Sequence, residues 1–209
     1  MDFFTADISD AHPDKVYVLD NEFKNYGGKQ KAYGEVVTVK LDRNNNDLKN
    51  LLKDVDGTGK IVVVDAENEY FAVVGDNLAK FAVDNNYEGL IVNGYVRDIT
   101  NTKNIPVGLF ALGTCPKKAP IQNSGEQGIK LQFGNVSFAQ DDYLYADIDG
   151  IDYLGEMIHI LKENNENIYL SGVNKEIQKI LINQEFYQKK ISDKKIYTRT
   201  SEAIAEILK

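Results

Sequence analysis

The stretch Gly75-Asp76-Asn77-Leu78-Ala79-Lys80-Phe81-Ala82-Val83-Asp84-Asn85, followed closely by Gly89-Leu90-Ile91-Val92-Asn93-Gly94-Tyr95-Val96-Arg97-Asp98, sets a glycine turn, a helix, a strand and a charged turn in succession. Leu78, Phe81, Ala82 and Asn85 recur at helical spacing, so a helix is predicted over 79–85, opening just after Gly75-Asp76-Asn77. Residues 89–93 are too continuously apolar for a half-exposed hairpin and read as a buried strand. Further β-branched or apolar runs at 16–19, 35–40, 61–64, 107–111 and 130–133 read as strands, and Tyr143-Leu144-Tyr145 as a strand near the fold's end. Glycine and asparagine clusters punctuate them, so the first 150 residues are predicted to be α/β, with mixed layers.

Beyond Asp149-Gly150 the composition shifts to Lys, Glu, Asn and Ile, which suggests a boundary there: one domain over 1–150 and a C-terminal α/β extension over 151–209. The extension reads as helix 153–163, strand 168–171, helix 174–185, strand 195–198 and helix 200–208. Asn174 and Thr200 or Ser201 are suitable caps, and Ile177, Ile180 and Leu181 form an apolar stripe.

Composition narrows the function. With 43% hydrophobic residues the chain can bury an ordinary core. The 32 acidic residues against 24 basic ones give a net charge of -8, a field that repels phosphate backbones and disfavours direct nucleic-acid binding. No apolar run approaches the roughly 18 residues needed to cross a bilayer. Met1-Asp2-Phe3-Phe4-Thr5-Ala6-Asp7 lacks the basic flank and apolar core of a secretory signal, which leads us to expect a cytoplasmic protein. The single cysteine, Cys115, reads as a buried thiol. His12 reads as a turn residue and His159 as a helix residue without a second histidine at metal-binding spacing, so neither is assigned to chemistry.

The chemistry-bearing residues lie at the two turns of the opening stretch. A helix amino terminus beginning at 75–78 can hold a carboxylate on exposed N–H groups, the helix dipole adding roughly 0.3–1 kcal/mol. Arg97 follows a buried strand, where α/β proteins commonly place ligands, and its planar fork can grip a carboxylate or the oxygens of a keto acid. Asp98 is a hard oxygen ligand suited to Mg²⁺ or Mn²⁺, with water and substrate filling the other positions. From spacing alone, Arg97 and Asp98 read as residues that cap a helix and form a solvated ion pair worth about 0–1 kcal/mol, the Arg-Asp dipeptide being a weak motif.

Thr5-Ala6-Asp7-Ile8-Ser9-Asp10-Ala11, Asn25-Tyr26-Gly27-Gly28, residues 34–40, Asp56-Gly57-Thr58-Gly59-Lys60 with Val62-Val63-Val64-Asp65, Phe133-Gly134-Asn135-Val136 and Asp142-Tyr143-Leu144-Tyr145-Ala146-Asp147 occur in this order. Together they resemble the family of ribonuclease E regulators (RraA) and 4-hydroxy-4-methyl-2-oxoglutarate aldolases through almost all of 1–150. In the aldolase branch the signature is an aspartate, twenty residues, Arg-Asp, two residues and an acid. Here Asp76, twenty residues and Arg97-Asp98 are intact, while Asn101 stands at the last position.

The resemblance implies a three-layer β/β/α swivelling fold and a homotrimer with sites between neighbouring subunits. It implies a divalent-metal-dependent lyase that cleaves 4-hydroxy-4-methyl-2-oxoglutarate to two pyruvates and decarboxylates oxaloacetate. Asp98 would carry the metal, Arg97 would stabilise the enolate charge, 75–78 (Gly75, Asp76, Asn77 and Leu78) would hold the substrate carboxylate, and Asp76 would serve as base. Asn101 puts the efficiency of such catalysis in question. The regulator branch implies instead a protein that masks the basic tail of ribonuclease E. Residues 151–209, from Asp149-Gly150-Ile151-Asp152 onward, resemble the second half of a STAS domain, which implies a fusion or an interaction module. Where the first family ends on a short apolar strand after Asp-Gly, this chain is read as passing directly into the helix at 153.

Overall fold

The computed structural model describes residues 3–20, 22–120 and 124–154, together with strand pairs at 170–171 and 196–197. In chain order the elements are α1 Thr5–Ala11, β1 Tyr17–Val18, β2 Lys24–Asn25, β3 Ala32–Lys40, α2 Asn46–Asp54, β4 Lys60–Asp65, β5 Ala72–Val74, α3 Asp76–Asp84, β6 Gly89–Val96, α4 Ile99–Thr102, β7 Gly108–Thr114, β8 Glu126–Gln127, β9 Leu131–Phe133, β10 Val136–Phe138, β11 Tyr143–Ala146 and β12 Ile151–Leu154. A second compact unit, from His159 on, contributes β13 Leu170–Ser171 and β14 Ile196–Tyr197, which pair in parallel.

The first unit, Phe3–Ile158, is built on one mixed sheet ordered β1-β12-β11-β3-β4-β6-β7-β2, with β5 added to β6 and β8 to β3. Its centre, β3-β4-β6-β7, is parallel, and antiparallel strands flank it. Ile61, Val62, Val63 and Val64 are all fully buried because β4 is covered on both faces. Side chains alternate along a strand, so Val62 and Val64 enter one core with Leu48, Leu51 and Leu52 of α2 and Ala79 and Ala82 of α3. Ile61 and Val63 enter the other, with Leu131, Val136 and Phe138 of the β9–β10 hairpin. Helices, sheet and hairpin are thus the three layers of an α/β fold.

Strands β1, β3, β4, β6, β7, β9 and β11 follow the apolar runs read from the sequence, whereas β2, β5, β8 and β10, each of two or three residues, have no counterpart in that reading. The departures have local causes. Helix α3 starts at Asp76, ahead of the expected 79, because extended Gly75 (φ -133°, ψ -171°) caps it and its carbonyl accepts the Ala79 N–H at 3.1 Å. Strand β6 runs on to Val96 because β7 pairs with it as far as Thr114 past a register shift between Val92 and Tyr95. A strand occupies Ile151–Leu154, the short strand after Asp-Gly that the sequence reading omits; pairing with β11 on one side and β1 on the other draws residues 153 and 154 away from the expected helix. The remainder of helix 153–163, helices 174–185 and 200–208, and most of the STAS-like pattern lie outside the described residues.

Cys115 is buried, with its thiol 3.5 Å from the Tyr70 carbonyl, and His12 closes α1. No helix among the described residues is long and apolar enough to cross a membrane.

Candidate functional site

The two halves of the opening stretch meet because β5 and β6 are parallel neighbours joined by α3. A parallel crossover returns the chain to the same sheet edge, so the end of β5, the start of α3 and the end of β6 converge. The Arg97 N–H donates to the Val74 carbonyl at 2.9 Å, setting Arg97 beside the residue that precedes Gly75. Asp98 then takes a left-handed conformation (φ 59°, ψ 34°), which a short polar side chain tolerates. Its carbonyl accepts the N–H groups of Asn101 at 2.8 Å and Thr102 at 3.0 Å, starting α4.

That turn lays the Asp98 carboxylate directly on Gly75. A Cβ at position 75 would stand 2.7 Å from Asp98 Oδ2 and 3.4 Å from Arg97 Cγ and Nε. A side chain at 75 would meet no conflict with the backbone angles but would push the end of the Asp98 side chain away. Arg97 Nε lies 3.3 Å from Asp98 Oδ2, and both side chains are a little over one-third exposed, 37% and 39%. The pair therefore faces a solvent-filled cleft with the rest of the guanidinium fork open to a ligand.

Asp76, in the first turn of α3, accepts Lys80 Nζ at 3.0 Å and Asn101 Nδ2 at 3.4 Å, both on Oδ2. The Lys80 hydrogen bond, opposed by partial burial and reinforced by the lysine charge, Asn101 and the Asn77 N–H, holds the Asp76 carboxyl below its ordinary range. An acid at 101 would set a second carboxylate against Asp76, whereas the Asn101 amide donates to it. The departure from the aldolase signature thus exchanges a repulsion for a hydrogen bond.

Gly75, Asp76, Asn77, Leu78, Arg97 and Asp98 all line one cleft of about 360 Å³. Asn45, Asn46 and Lys49 at the start of α2, Ala72, Val73 and Val74 of β5, Phe81 of α3, and Lys118 complete it. The sequence reading missed Asn45, Asn46 and Lys49 because it did not resolve α2, although Leu48, Leu51 and Leu52 recur at helical spacing. Asn45 Nδ2 donates to the Val73 carbonyl at 2.8 Å and moors α2 to β5. The amino termini of two nine-residue helices, α2 and α3, therefore open on the cleft. Lys49, Lys118 and Arg97 against Asp76 and Asp98 leave one surplus positive charge among the lining residues, in a chain of net charge -8. Such a local well draws anions.

A second hollow of about 510 Å³ holds Asp20, Asp147 and Asp149, the first two with carboxylates committed to Asn135 and to Thr5. Among the described residues no group of three or more His, Cys, Asp or Glu side chains forms a ready-made metal centre. The donors at the first cleft suit a hard cation held by a carboxylate such as Asp98 and completed by water and substrate oxygens, the habit of Mg²⁺ rather than zinc.

Residues 5–151 match the family described as RraA-like, Aldolase/RraA. A protein of Bacillus anthracis, provisionally named 4-hydroxy-4-methyl-2-oxoglutarate aldolase, is 36% identical over 156 residues, 74% of this chain and 98% of its own. The RNA-processing inhibitor RraA of Thermus thermophilis has the same fold at a TM-score of 0.70 and 32% identity, over 75% of this chain and 94% of that one. A structure described as an S-adenosylmethionine:2-dimethylmenaquinone methyltransferase of Geobacillus kaustophilus gives the same TM-score and identity, over 75% and 98%.

Proposed function

Since this chain belongs to the RraA-like family, we propose that its cleft is the active site of a divalent-metal-dependent aldolase that cleaves 4-hydroxy-4-methyl-2-oxoglutarate and also decarboxylates oxaloacetate. The observation that carries this reading is the seating of the Asp98 carboxylate and Arg97 on Gly75, at the amino terminus of α3. Metal ligand, enolate-stabilising cation and carboxylate cradle then share one cleft. The aldolase name of relatives of nearly the same length as the matched region supports it.

A cation carried by Asp98 would supply Lewis acidity at the substrate's keto oxygen. The chain's own residues do the rest. The first intrahelical bond of α3 is made by the Ala79 N–H and the Asn77 N–H serves the Asp76 carboxylate, so the N–H groups of Asp76 and Leu78 can receive the carboxylate beside the keto group. Arg97, with Nε against Asp98, directs its remaining donors at the oxygen where negative charge develops. Asp76, held ionised by Lys80 and Asn101, takes the hydroxyl proton directly or through a water. The C3–C4 bond breaks, its electron pair passes into the enolate of one pyruvate, and the other fragment leaves as the second pyruvate. Decarboxylation of oxaloacetate forms the same enolate, releases CO2 and needs no base.

Pyruvate release from both substrates, coupled to its reduction and run with Mg²⁺ or Mn²⁺ and then with chelator, tests the reading. Equal rates with and without chelator refute it. The family's homotrimer, with sites between subunits, is part of the proposal and is checked by light scattering.

A second reading, in which the protein masks a ribonuclease's basic tail, draws on the net charge of -8 and on the inhibitor from Thermus. It requires association that weakens steeply with salt, which a pull-down at low and high ionic strength measures.

A further inference from the structure

Two cations of the cleft are left over by this mechanism. Lys49, in α2, and Lys118, where the chain bridges to Ala72 of β5, both line it. Among the described residues neither makes an ion pair or a side-chain hydrogen bond, whereas Lys80 and Arg97 are held on Asp76 and Asp98. Lys49 is the fourth residue of α2, near the positive end of the helix, where the dipole disfavours a cation. Helix stability therefore does not account for it. The bond from Asn45 to Val73 fixes the start of α2 as a wall of the cleft, with Lys49 on that wall. Both substrates carry two carboxylates, and two helix amino termini face them. The start of α3 suits the carboxylate beside the keto group; at the start of α2 the Asn46 N–H is taken by Asn44 Oδ1 at 2.8 Å, and Lys49 is left for the other.

We propose that Lys49 binds the distal carboxylate of the substrate and thereby favours aldol cleavage over decarboxylation. This rests on the aldolase reading of the cleft. In cleavage of the hydroxy-oxoglutarate the distal carboxylate stays an anion throughout and leaves as part of a pyruvate. A cation on it stabilises ground state and transition state alike. In oxaloacetate the same group is the one lost: its bond to C3 breaks, the electron pair passes into the enolate, and the carboxylate becomes neutral CO2. A cation there holds the ground state more tightly than the transition state and slows the step. One lysine thus raises kcat/KM for the aldol cleavage without changing kcat, and lowers kcat for the decarboxylation without changing kcat/KM.

The test is steady-state kinetics of the full chain with Mg²⁺ on both substrates, for the wild type, Lys49→Gln, Lys49→Arg and Lys118→Gln, with melting temperatures to show that each variant is folded. For cleavage, Lys49→Gln is expected to raise KM about tenfold at nearly constant kcat, the loss of one charge-assisted hydrogen bond. For decarboxylation, KM and kcat are expected to rise together, with kcat/KM little changed. Lys49→Arg restores the wild-type pattern. The proposal is overturned if Lys49→Gln moves kcat alike in both reactions, if it leaves KM unchanged in both, or if the split between a KM effect in cleavage and a joint KM and kcat effect in decarboxylation belongs to Lys118→Gln instead. A wild type that turns over neither substrate overturns the aldolase reading itself, and this shows before any variant is compared.

Discussion

Gly75→Ala is the sharpest probe of the site. The backbone at 75 is extended, so alanine is conformationally permitted and the substitution tests contact alone. The new Cβ would lie 2.7 Å from Asp98 Oδ2. A carbon and an oxygen rest at about 3.3 Å or more, so the carboxylate must withdraw by roughly 0.6 Å and loosen its contact with Arg97 Nε. Reacting constellations tolerate about 0.5 Å of displacement, and misplacement on the ångström scale costs up to about 100-fold. A loss of about 10- to 100-fold in kcat is expected for both substrates. The fold loses little, because the displaced group is an exposed side-chain end: about 1 kcal/mol, mostly from the weaker helix cap, or about 2–4 °C in Tm. Pyruvate release and a thermal melt read the two quantities separately. Wild-type kcat in a folded Gly75→Ala variant would show that the seat of Asp98 is irrelevant and would refute the site.

Arg97→Ala and Asp98→Ala are each expected to lose most turnover while costing the fold about 1 kcal/mol or less, because their ion pair is solvent-exposed; wild-type kinetics in either excludes the assignment. Lys80→Met removes the main support of the ionised Asp76 carboxyl, so the acid limb of the cleavage pH profile should move up towards the ordinary aspartate range while the decarboxylation profile stays put; an unmoved limb means that Asp76 is not the base. Burial alone would raise the Asp147 carboxyl, but the Thr5 N–H and hydroxyl and the N–H groups of Asp149 and Gly150 outweigh it and lower it. A lowered folded value contributes stability above the unfolded aspartate value of about 3.9, lost as pH falls through the folded one. Asp147→Asn should therefore cost about 1–3 kcal/mol in denaturant unfolding at pH 7 and less at pH 3, and an equal cost at both would contradict this.

The central strands could be read in advance because burial on both faces demands continuous apolar runs, as at Ile61, Val62, Val63 and Val64. The spacing of Asp76 from Arg97-Asp98 was likewise visible, since it is the length of one helix and one strand. What escaped was set by distant partners. Residues 151–154 carry no strand signal strong enough to override a helical reading, and pairing with β11 and β1 decided them. Helix α2 was hidden among Asn, Asp and Lys, and with it Lys49.

By itself the chain determined its lineage and its layers, because these depend on local pattern and residue type. Only the tertiary structure decided that Asp98 rests on Gly75, that Asn101 reaches Asp76 and that Lys49 joins the same cleft. Those relations arise from the packing of two helices against parallel strands, and a distance across such a layer leaves no periodic trace along the chain.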